Sequence, residues 1–100
     1  MYTVSQTDEF VAWHTGLRNE RAKLAIVRRI DRAAAGNLGD IKSVGGGVSE
    51  MRVDLAGGYR IYFAFREGVL IVLLAGGDKA SQSVDIRRAQ TLAKGLKHEQ

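Results

Sequence analysis

The stretch that decides the fold is VSEMRVDLAGGYRIYFAFREGVLIVLLAGG, residues 48–77. Its first part alternates apolar Met51, Val53 and Leu55 with charged side chains, and its second part alternates in the same way. Strict alternation is the period-2 signal of a half-buried β-strand. The third part, residues 69–75, is apolar throughout, which is typical of a central strand covered on both faces. The sequence therefore predicts a three-stranded antiparallel meander with glycine turns between its strands.

The register of the first strand pair follows from the Ala-Gly-Gly turn at residues 56–58. A glycine can take the left-handed backbone conformation that a three-residue loop requires. Such a loop places Met51 opposite Phe63. It also places Val53 opposite Ile61, so that the apolar side chains share one face of the sheet.

The other face of this strand pair carries polar and charged side chains. In the same register Arg52 lies opposite Tyr62. Asp54 lies opposite Arg60, within reach of the same neighbours. Glu50 and Asp54 could act as a catalytic carboxylate pair, but the facing arginines favour cross-strand ion pairs. We expect any chemistry to lie on this face or at its edge.

Two helices precede the meander and follow a β-prone segment at residues 2–4, which we interpret as an edge strand. Thr7 or Asp8 can cap the first helix. The second helix runs from about residue 20 to residue 35, with an apolar stripe and a largely basic remainder. Because almost no linker separates the two helices, we expect an antiparallel hairpin.

Residues 37–47, which contain four glycines, predict a flexible loop between the second helix and the sheet. They lack the Lys-Ser/Thr that completes a phosphate-binding loop. After the sheet, Ser83 can cap a last helix with Asp85 in its first turn. Residues beyond about 97 are expected to fray. The fold class is thus α+β, a single domain with a short N-terminal strand, a helical hairpin, a three-stranded antiparallel meander and a C-terminal helix.

Composition limits the classes of function. A chain of 100 residues makes one small domain, and the absence of cysteine excludes disulfides and thiolate metal sites. The longest apolar run, residues 69–75, is far too short to span a membrane. The first residues have neither the basic start nor the apolar core of a signal peptide, so we expect a cytoplasmic protein. A net charge of +4 permits an anionic partner such as nucleic acid or an acidic protein segment.

Several chemistries lack support in the sequence. His14 and His98 have no Cys or His partner at ligand spacing, so we expect no metal site. No serine lies in a nucleophile elbow with a histidine and an acid to accompany it. We therefore expect no metal and no cofactor.

Three cations form the strongest candidate site. Arg52 and Arg60 project from adjacent predicted strands, and Lys79 follows the strand expected beside that of Arg60. Together they can hold a phosphate and stabilise charge that develops on it. Each could instead be an ordinary solvated side chain.

Other basic side chains could bind an RNA backbone independently of its sequence. An ordinary solvated helix face is the alternative interpretation of most of them. The candidates are Arg21, Arg28 and Arg32 on the second helix and Lys42 in the following loop.

The order of elements and several short motifs resemble the RelE/ParE toxin superfamily of bacterial toxin–antitoxin modules. Within it the chain is most similar to the HigB-like branch, often called addiction-module killer proteins, and the resemblance covers nearly the whole sequence. The motifs that carry it are RIDR at 29–32, GNLGD at 36–40, EMRVD at 50–54, GYRIYF at 58–63 and GGDK at 76–79, followed by Asp85-Ile86 and Ala89.

The resemblance implies an activity. RelE and HigB relatives enter the ribosomal A site and cleave translated mRNA without a metal ion. The ribose 2′-hydroxyl attacks the adjacent phosphate and leaves a 2′,3′-cyclic phosphate and a 5′-hydroxyl. By position, Arg52 resembles the basic residue of the first meander strand and Arg60 the phosphate-binding arginine of the next. Lys79 resembles the basic residue after the last strand.

The sequence departs from these relatives in the groups that move protons. No tyrosine follows Tyr62, so the C-terminal tyrosine of RelE has no counterpart, and the histidines of the better-known HigB site are missing. The general acid and base therefore stay open. Tyr62 is a candidate to stack on a base, with strand packing as the alternative. Asp78 is a candidate to position a group or accept a proton.

Three functions follow from the resemblance. The first is a ribosome-dependent mRNA endonuclease, with the ribosome and mRNA as partners. The second is a ParE-like, non-enzymatic inhibitor of DNA gyrase, and the third is an inactive relative that only binds its antitoxin. The implied partner is a small cognate antitoxin, often of the helix-turn-helix type, whose acidic or amphipathic segment would cover the basic groove.

Overall fold

The structure, a computed structural model, describes residues 1–96. The fraying predicted beyond residue 97, and His98, lie outside the described residues. Five strands and three helices occur in this part of the chain, which confirms the α+β class. They are β1 (Thr3–Gln6), α1 (Asp8–Gly16), α2 (Glu20–Ala34), β2 (Ile41–Gly45), β3 (Val48–Arg52), β4 (Arg60–Arg66), β5 (Leu70–Gly77) and α3 (Gln82–Leu96).

The strands form one sheet in the order β1-β5-β4-β3-β2. The predicted meander is confirmed, because β3, β4 and β5 pair antiparallel in sequence. The N-terminal strand is an edge strand, as predicted, and pairs parallel with β5. Because β5 thus lies between two other strands, it is a central strand of the sheet.

The prediction of a loop at residues 37–47 is wrong in its second half. Residues 41–45 form β2, which pairs antiparallel with β3 through a bulge between Ser43 and Gly45. Gly46 and Gly47, with φ of 64° and 77°, make the tight turn into β3. The glycines of this turn need positive φ, which L side chains rarely adopt. Because several glycines lie close together here, the sequence predicted a loop where the short strand β2 forms.

The predicted register of β3 against β4 is also wrong, by two positions. Met51 pairs with Ile61 rather than with Phe63, and Arg52 pairs with Arg60 rather than with Tyr62. The reason is that β3 ends early and residues 53–59 make a longer loop, closed by the Val53 amide donating to the Tyr59 carbonyl at 3.0 Å. A slip of two positions leaves every side chain on its predicted face, since faces alternate with period two.

Each face of the sheet has its own hydrophobic core. Phe10 of α1 and Ile26 of α2 pack with Phe63 on one face. Tyr62 packs with Ala89 and Ala93 of α3 on the other face. Burying an apolar side chain of this size stabilises the fold by roughly 1.5–3 kcal/mol. The sheet is therefore the middle layer, and the strand ends are the places where functional groups can reach solvent.

A capping side chain precedes each of the first two helices. Thr7 Oγ1 accepts from the Phe10 amide at 3.1 Å and donates to the Leu74 carbonyl at 2.7 Å, so Thr7 rather than Asp8 caps α1 and ties it to β5. Asn19 Oδ1 accepts from the Ala22 amide at 3.1 Å and caps α2. Such caps contribute about 1 kcal/mol each. They fix where both helices begin.

The last helix begins one residue before the predicted cap. Ser83 lies inside α3, and the turn before it is made by Ser81, whose amide donates to Asp78 Oδ1 at 3.1 Å. Asp85 lies in the first turn as predicted. Within residues 1–96 no helix has the length and apolar character needed to cross a membrane.

Candidate cation site

A buried carboxylate organises the polar face where β3 meets β4. Glu50 is 1% exposed, and its Oε1 lies 3.3 Å from Arg60 Nε. Its Oε2 lies 3.5 Å from Arg52 Nε. Gln82 at the start of α3 donates to Glu50 Oε1 at 2.8 Å. The ion pairs expected for Glu50 are thus present, and one carboxylate serves both arginines.

The two arginines point to the same side of the sheet, as predicted, because Arg52 and Arg60 are directly opposed in register. Two like charges in such a pair repel each other. Glu50 between them offsets that repulsion and holds the guanidiniums close together.

Arg60 is fixed in place, being only 7% exposed. Its Nη1 donates to the Gly58 carbonyl at 2.6 Å. A Cβ on Gly58 would lie 3.1 Å from that same nitrogen and 3.0 Å from Cβ of Lys79. Lys79, an exposed residue, is held there by its amide, which donates to the Gly57 carbonyl at 3.2 Å. The structure therefore brings Arg52, Arg60 and Lys79 to one end of the sheet.

The predicted stacking role of Tyr62 is wrong, because its side chain is 0% exposed and packs under α3. The alternative, strand packing, describes it. Its hydroxyl has no hydrogen-bond partner in the part of the chain that the structure describes. Burial, with the nearby charge of Glu50 as the next cause, raises the pKa of Tyr62 to about 12.

Asp78 lies beside Lys79 but is committed in part to the start of α3. Its Oδ1 accepts from the amide of Ser81 at 3.1 Å and from the hydroxyl of Ser81 at 3.2 Å. Both bonds use the same oxygen, which leaves Oδ2 outside this turn. Asp54, by contrast, lies in the loop after β3 and does not face Arg60, so that predicted pairing is wrong.

The predicted RNA-binding residues divide into two groups, although all are exposed. Arg28 and Arg32 line a groove between α2 and the loop after β3. Arg21 lies further toward the start of α2, and Lys42 pairs with Glu50 in the register of β2 and β3. Arg52, whose side chain is half-exposed, also lines this groove and connects the groove residues with the cation site.

Sequence reasoning missed the role of Arg29, which it placed on the basic surface of the second helix. This residue is 3% exposed; its Nε donates to the Arg52 carbonyl at 2.9 Å and its Nη2 to the Leu38 carbonyl. Burial lowers the pKa of Arg29 from its ordinary value, with repulsion from Arg32 as the next cause. The signal was available, because Arg29 follows Ile26 by three positions and precedes Ala33 by four, the spacing of the buried stripe.

A larger cavity of about 640 Å³ lies elsewhere, between the start of α1 and the end of α3. Its cation, Arg88, is already held by Glu9, with Nη2 at 2.6 Å from Oε1. Among residues 1–96 no cluster of three or more histidine, cysteine, aspartate or glutamate side chains is placed to hold a metal ion.

Comparison with known proteins covers nearly the whole chain. Residues 8–97 match the family described as "Phage derived protein Gp49-like". The chain is also similar to a Haemophilus influenzae protein described as "Uncharacterized protein", with 47% identity over 93 residues, which are 93% of this chain and 94% of that protein.

Proposed function

Because the chain belongs to the phage-derived Gp49-like family, a RelE/ParE-like toxin family of toxin–antitoxin systems, we propose that it is a ribosome-dependent mRNA endonuclease of the HigB-like kind. The observation that carries the proposal is the convergence of Arg52, Arg60 and Lys79 at one end of the sheet. Three cations at one end of a sheet suit a phosphate that passes through a more highly charged transition state. The protein would act in the cytoplasm, where messages are translated.

In this proposal the RNA supplies its own nucleophile. The 2′-oxygen forms a bond to the adjacent phosphorus, the bond from phosphorus to the 5′-oxygen breaks, and the departing 5′-oxygen takes a proton from water. The products are a 2′,3′-cyclic phosphate and a 5′-hydroxyl. The protein must orient the phosphate in line and stabilise its oxygens. Asp78 Oδ2, which lies outside the turn that engages Oδ1, is our candidate to receive the 2′-hydroxyl proton.

The three cations would have different tasks. Arg60 is buried and anchored by Glu50 and by the Gly58 carbonyl, so it provides a fixed charge. Arg52, with half of its side chain exposed and its Nε at 3.5 Å from Glu50, can turn toward the phosphate. Lys79 is exposed and would provide a mobile point charge. Glu50 would act as a positioning residue that keeps Arg52 and Arg60 together.

The partner that fits this surface is a cognate antitoxin. The family is toxin-like in toxin–antitoxin modules, and the net charge of +4 suits an acidic covering segment. An antitoxin of the helix-turn-helix type is the form we expect for a HigB-like module.

A second candidate function is ParE-like inhibition of DNA gyrase. The burial of Tyr62 favours it, because that residue is then unavailable to a bound RNA. An inactive relative that only binds its antitoxin would share the same feature.

One experiment separates these functions. Purified protein is added to translating ribosomes and the message is mapped by primer extension, beside a gyrase supercoiling assay. The proposal expects cuts within codons that disappear in Arg52→Ala, a variant chosen because its side chain is half-exposed and its loss spares the core. An intact message with blocked supercoiling would establish the ParE-like function, and no effect in either assay would leave antitoxin binding alone.

A further inference from the structure

The groove between α2 and the loop after β3 contains a buried cation that forms no ion pair within residues 1–96, although Asp40 in the same lining attracts it from a distance. Arg29 is 3% exposed, and the partners of its Nε and Nη2 are neutral carbonyls. Its Nη1 has no hydrogen-bond partner among the described residues. A buried charge that lacks an opposite charge is costly, so an arrangement that keeps one gains from a bound anion.

The surroundings of Arg29 add to this charge. The groove comprises two adjoining cavities of about 390 Å³ and 340 Å³, and Arg29 and Arg32 line both. Four arginines and two aspartates line them in all. These residues are Arg28, Arg29, Arg32 and Arg52, and Asp40 and Asp54.

The two aspartates neutralise little of the positive charge in the groove. Asp40 Oδ2 lies 3.9 Å from Arg52 Nη1, at the limit of an ion pair, and both side chains are at least half exposed. Exposed pairs of this kind are weak and leave the charges available. The groove therefore keeps a surplus of positive charge.

The groove and the cation site share one residue. Arg52 lines the groove, and its Nε lies 3.5 Å from Glu50 in the cation site. Arg29 Nε holds the backbone carbonyl of that same residue at 2.9 Å. An extended polyanion that places one phosphate at Arg52 would thus lead its next phosphates along α2.

We propose that the groove lined by Arg28, Arg29 and Arg32 is a second phosphate subsite, which binds a backbone phosphate of single-stranded RNA next to the one held at Arg52 and Arg60. The inference rests on the proposed function for the identity of the polyanion. A guanidinium fork binds phosphate in two-point fashion, as it also binds carboxylate. RNA, rather than an acidic peptide, is the polyanion that the proposed function supplies. Arg32 and Arg28 bind from the exposed rim, and Arg29 provides charge from the floor.

The test uses a single-stranded hexanucleotide RNA in which every ribose is 2′-O-methylated, so that it cannot be cleaved, with binding followed by fluorescence anisotropy. Each phosphate in turn is replaced by a neutral methylphosphonate. One replacement beside the central linkage should weaken binding about 5–10-fold, and Arg32→Ala should weaken binding of the unmodified RNA by a similar factor, consistent with one lost phosphate contact. In Arg32→Ala that methylphosphonate should then have no further effect, because the two changes remove the same contact.

Arg87→Ala is the matched control. Arg87 is an exposed arginine on α3, outside the groove lining, so its removal changes the net charge equally. It should keep the full methylphosphonate effect. The slope of log affinity against log salt should fall by about 0.7 in Arg32→Ala relative to this control.

Three results would overturn the subsite: no binding of the hexanucleotide by the unmodified protein, equal affinities for Arg32→Ala and Arg87→Ala, or a methylphosphonate effect that survives in Arg32→Ala. A glutamate hexapeptide that binds the groove in place of the RNA would assign it to an acidic protein segment instead. The ribosome assay judges the proposed function separately. If the message stays intact but the methylphosphonate effect disappears in Arg32→Ala, the nuclease is refuted and the subsite is kept. If the message is cleaved but Arg32→Ala does not change RNA binding, the subsite is refuted and the nuclease is kept.

Discussion

Arg60 and Arg29 are both buried arginines, and they differ in what they touch. Arg60, at 7% exposure, meets the carboxylate of Glu50 at 3.3 Å. Arg29, at 3% exposure, meets backbone carbonyls through two nitrogens, and its third nitrogen has no hydrogen-bond partner within residues 1–96. They belong to opposite sides of the same sheet, and Arg52 connects them, because it contacts Glu50 with its side chain and Arg29 with its carbonyl.

This difference distinguishes a site whose buried charges are paired within the protein from a site whose buried charge can still bind an external anion. Removing one partner from a buried ion pair is strongly destabilising, because a charge is then left without compensation. An arginine bonded only to carbonyls already bears part of that cost, and an external anion can lower it. The cation pair on β3 and β4 is therefore preorganised, and the groove beside α2 is suited to binding.

The largest effect on stability is expected for Glu50→Gln. This change leaves Arg52 and Arg60 facing each other without the carboxylate, and we expect the free energy of unfolding to fall by about 3–5 kcal/mol. Urea denaturation measures it. Asp40→Asn, which removes the exposed partner of Arg52, is the control and should cost less than about 1 kcal/mol. Equal stabilities of these two variants would show that Glu50 does not hold the arginines together.

A smaller effect is expected for Arg29→Met. The change leaves the carbonyls of Arg52 and Leu38 without the donor that Arg29 supplies, which costs about 1–3 kcal/mol. It also removes the uncompensated buried charge. Arg60→Met, which leaves Glu50 buried with one arginine fewer, should cost more than Arg29→Met in the same urea experiment. The reverse order would contradict the comparison between the two arginines.

How far the sequence predicted these two regions depends on the kind of signal. Alternation in residues 48–66 fixed the faces of β3 and β4, and hence that Arg52 and Arg60 share a side, even though their register was wrong by two. Faces are a local property with period two, whereas register depends on where a loop closes, here through Val53 and Tyr59. The burial of Arg29 depends on a carbonyl of β3 reaching α2, a contact between distant parts of the chain that composition does not reveal.

The strand β2 was missed, and the sequence left the packing of Tyr62 as one of two alternatives, for related reasons. β2 is short and is surrounded by glycines, so its pairing partner, rather than its own residues, makes it a strand. Tyr62 lies on the polar face by alternation, but α3 covers that part of the face and turns it into a core. Only the packing of the last helix decides this, and a strand pattern contains no information about it.

The smallest effect at neutral pH is expected for Tyr62→Phe. The hydroxyl of Tyr62 has no hydrogen-bond partner among the described residues, so its removal should change the free energy of unfolding by no more than about 1 kcal/mol and should leave RNA cleavage intact. A large loss of cleavage would show that Tyr62 takes part in the site.

The unmodified protein and Tyr62→Phe should differ in stability at alkaline pH. Since the pKa of Tyr62 is raised to about 12 in the folded protein, and lies near 10 in an unfolded chain, the fold favours the neutral phenol. That contribution is complete below about pH 10 and is lost as the pH rises through about 12. The stability of the unmodified protein relative to Tyr62→Phe, measured by urea denaturation, should therefore stay constant up to about pH 9 and fall above pH 10. A constant difference up to pH 12 would show that the phenol is not held in its neutral form.

The most direct test of the account is the single-turnover rate of message cleavage on the ribosome for Arg52→Ala, compared with Arg87→Ala at equal ribosome occupancy. If Arg52 stabilises the phosphate in the transition state, its loss should lower the rate about 100-fold or more while ribosome binding is kept, and Arg87→Ala should cleave like the unmodified protein. Equal cleavage rates for the two variants would contradict the claim that the cations at this end of the sheet perform the chemistry.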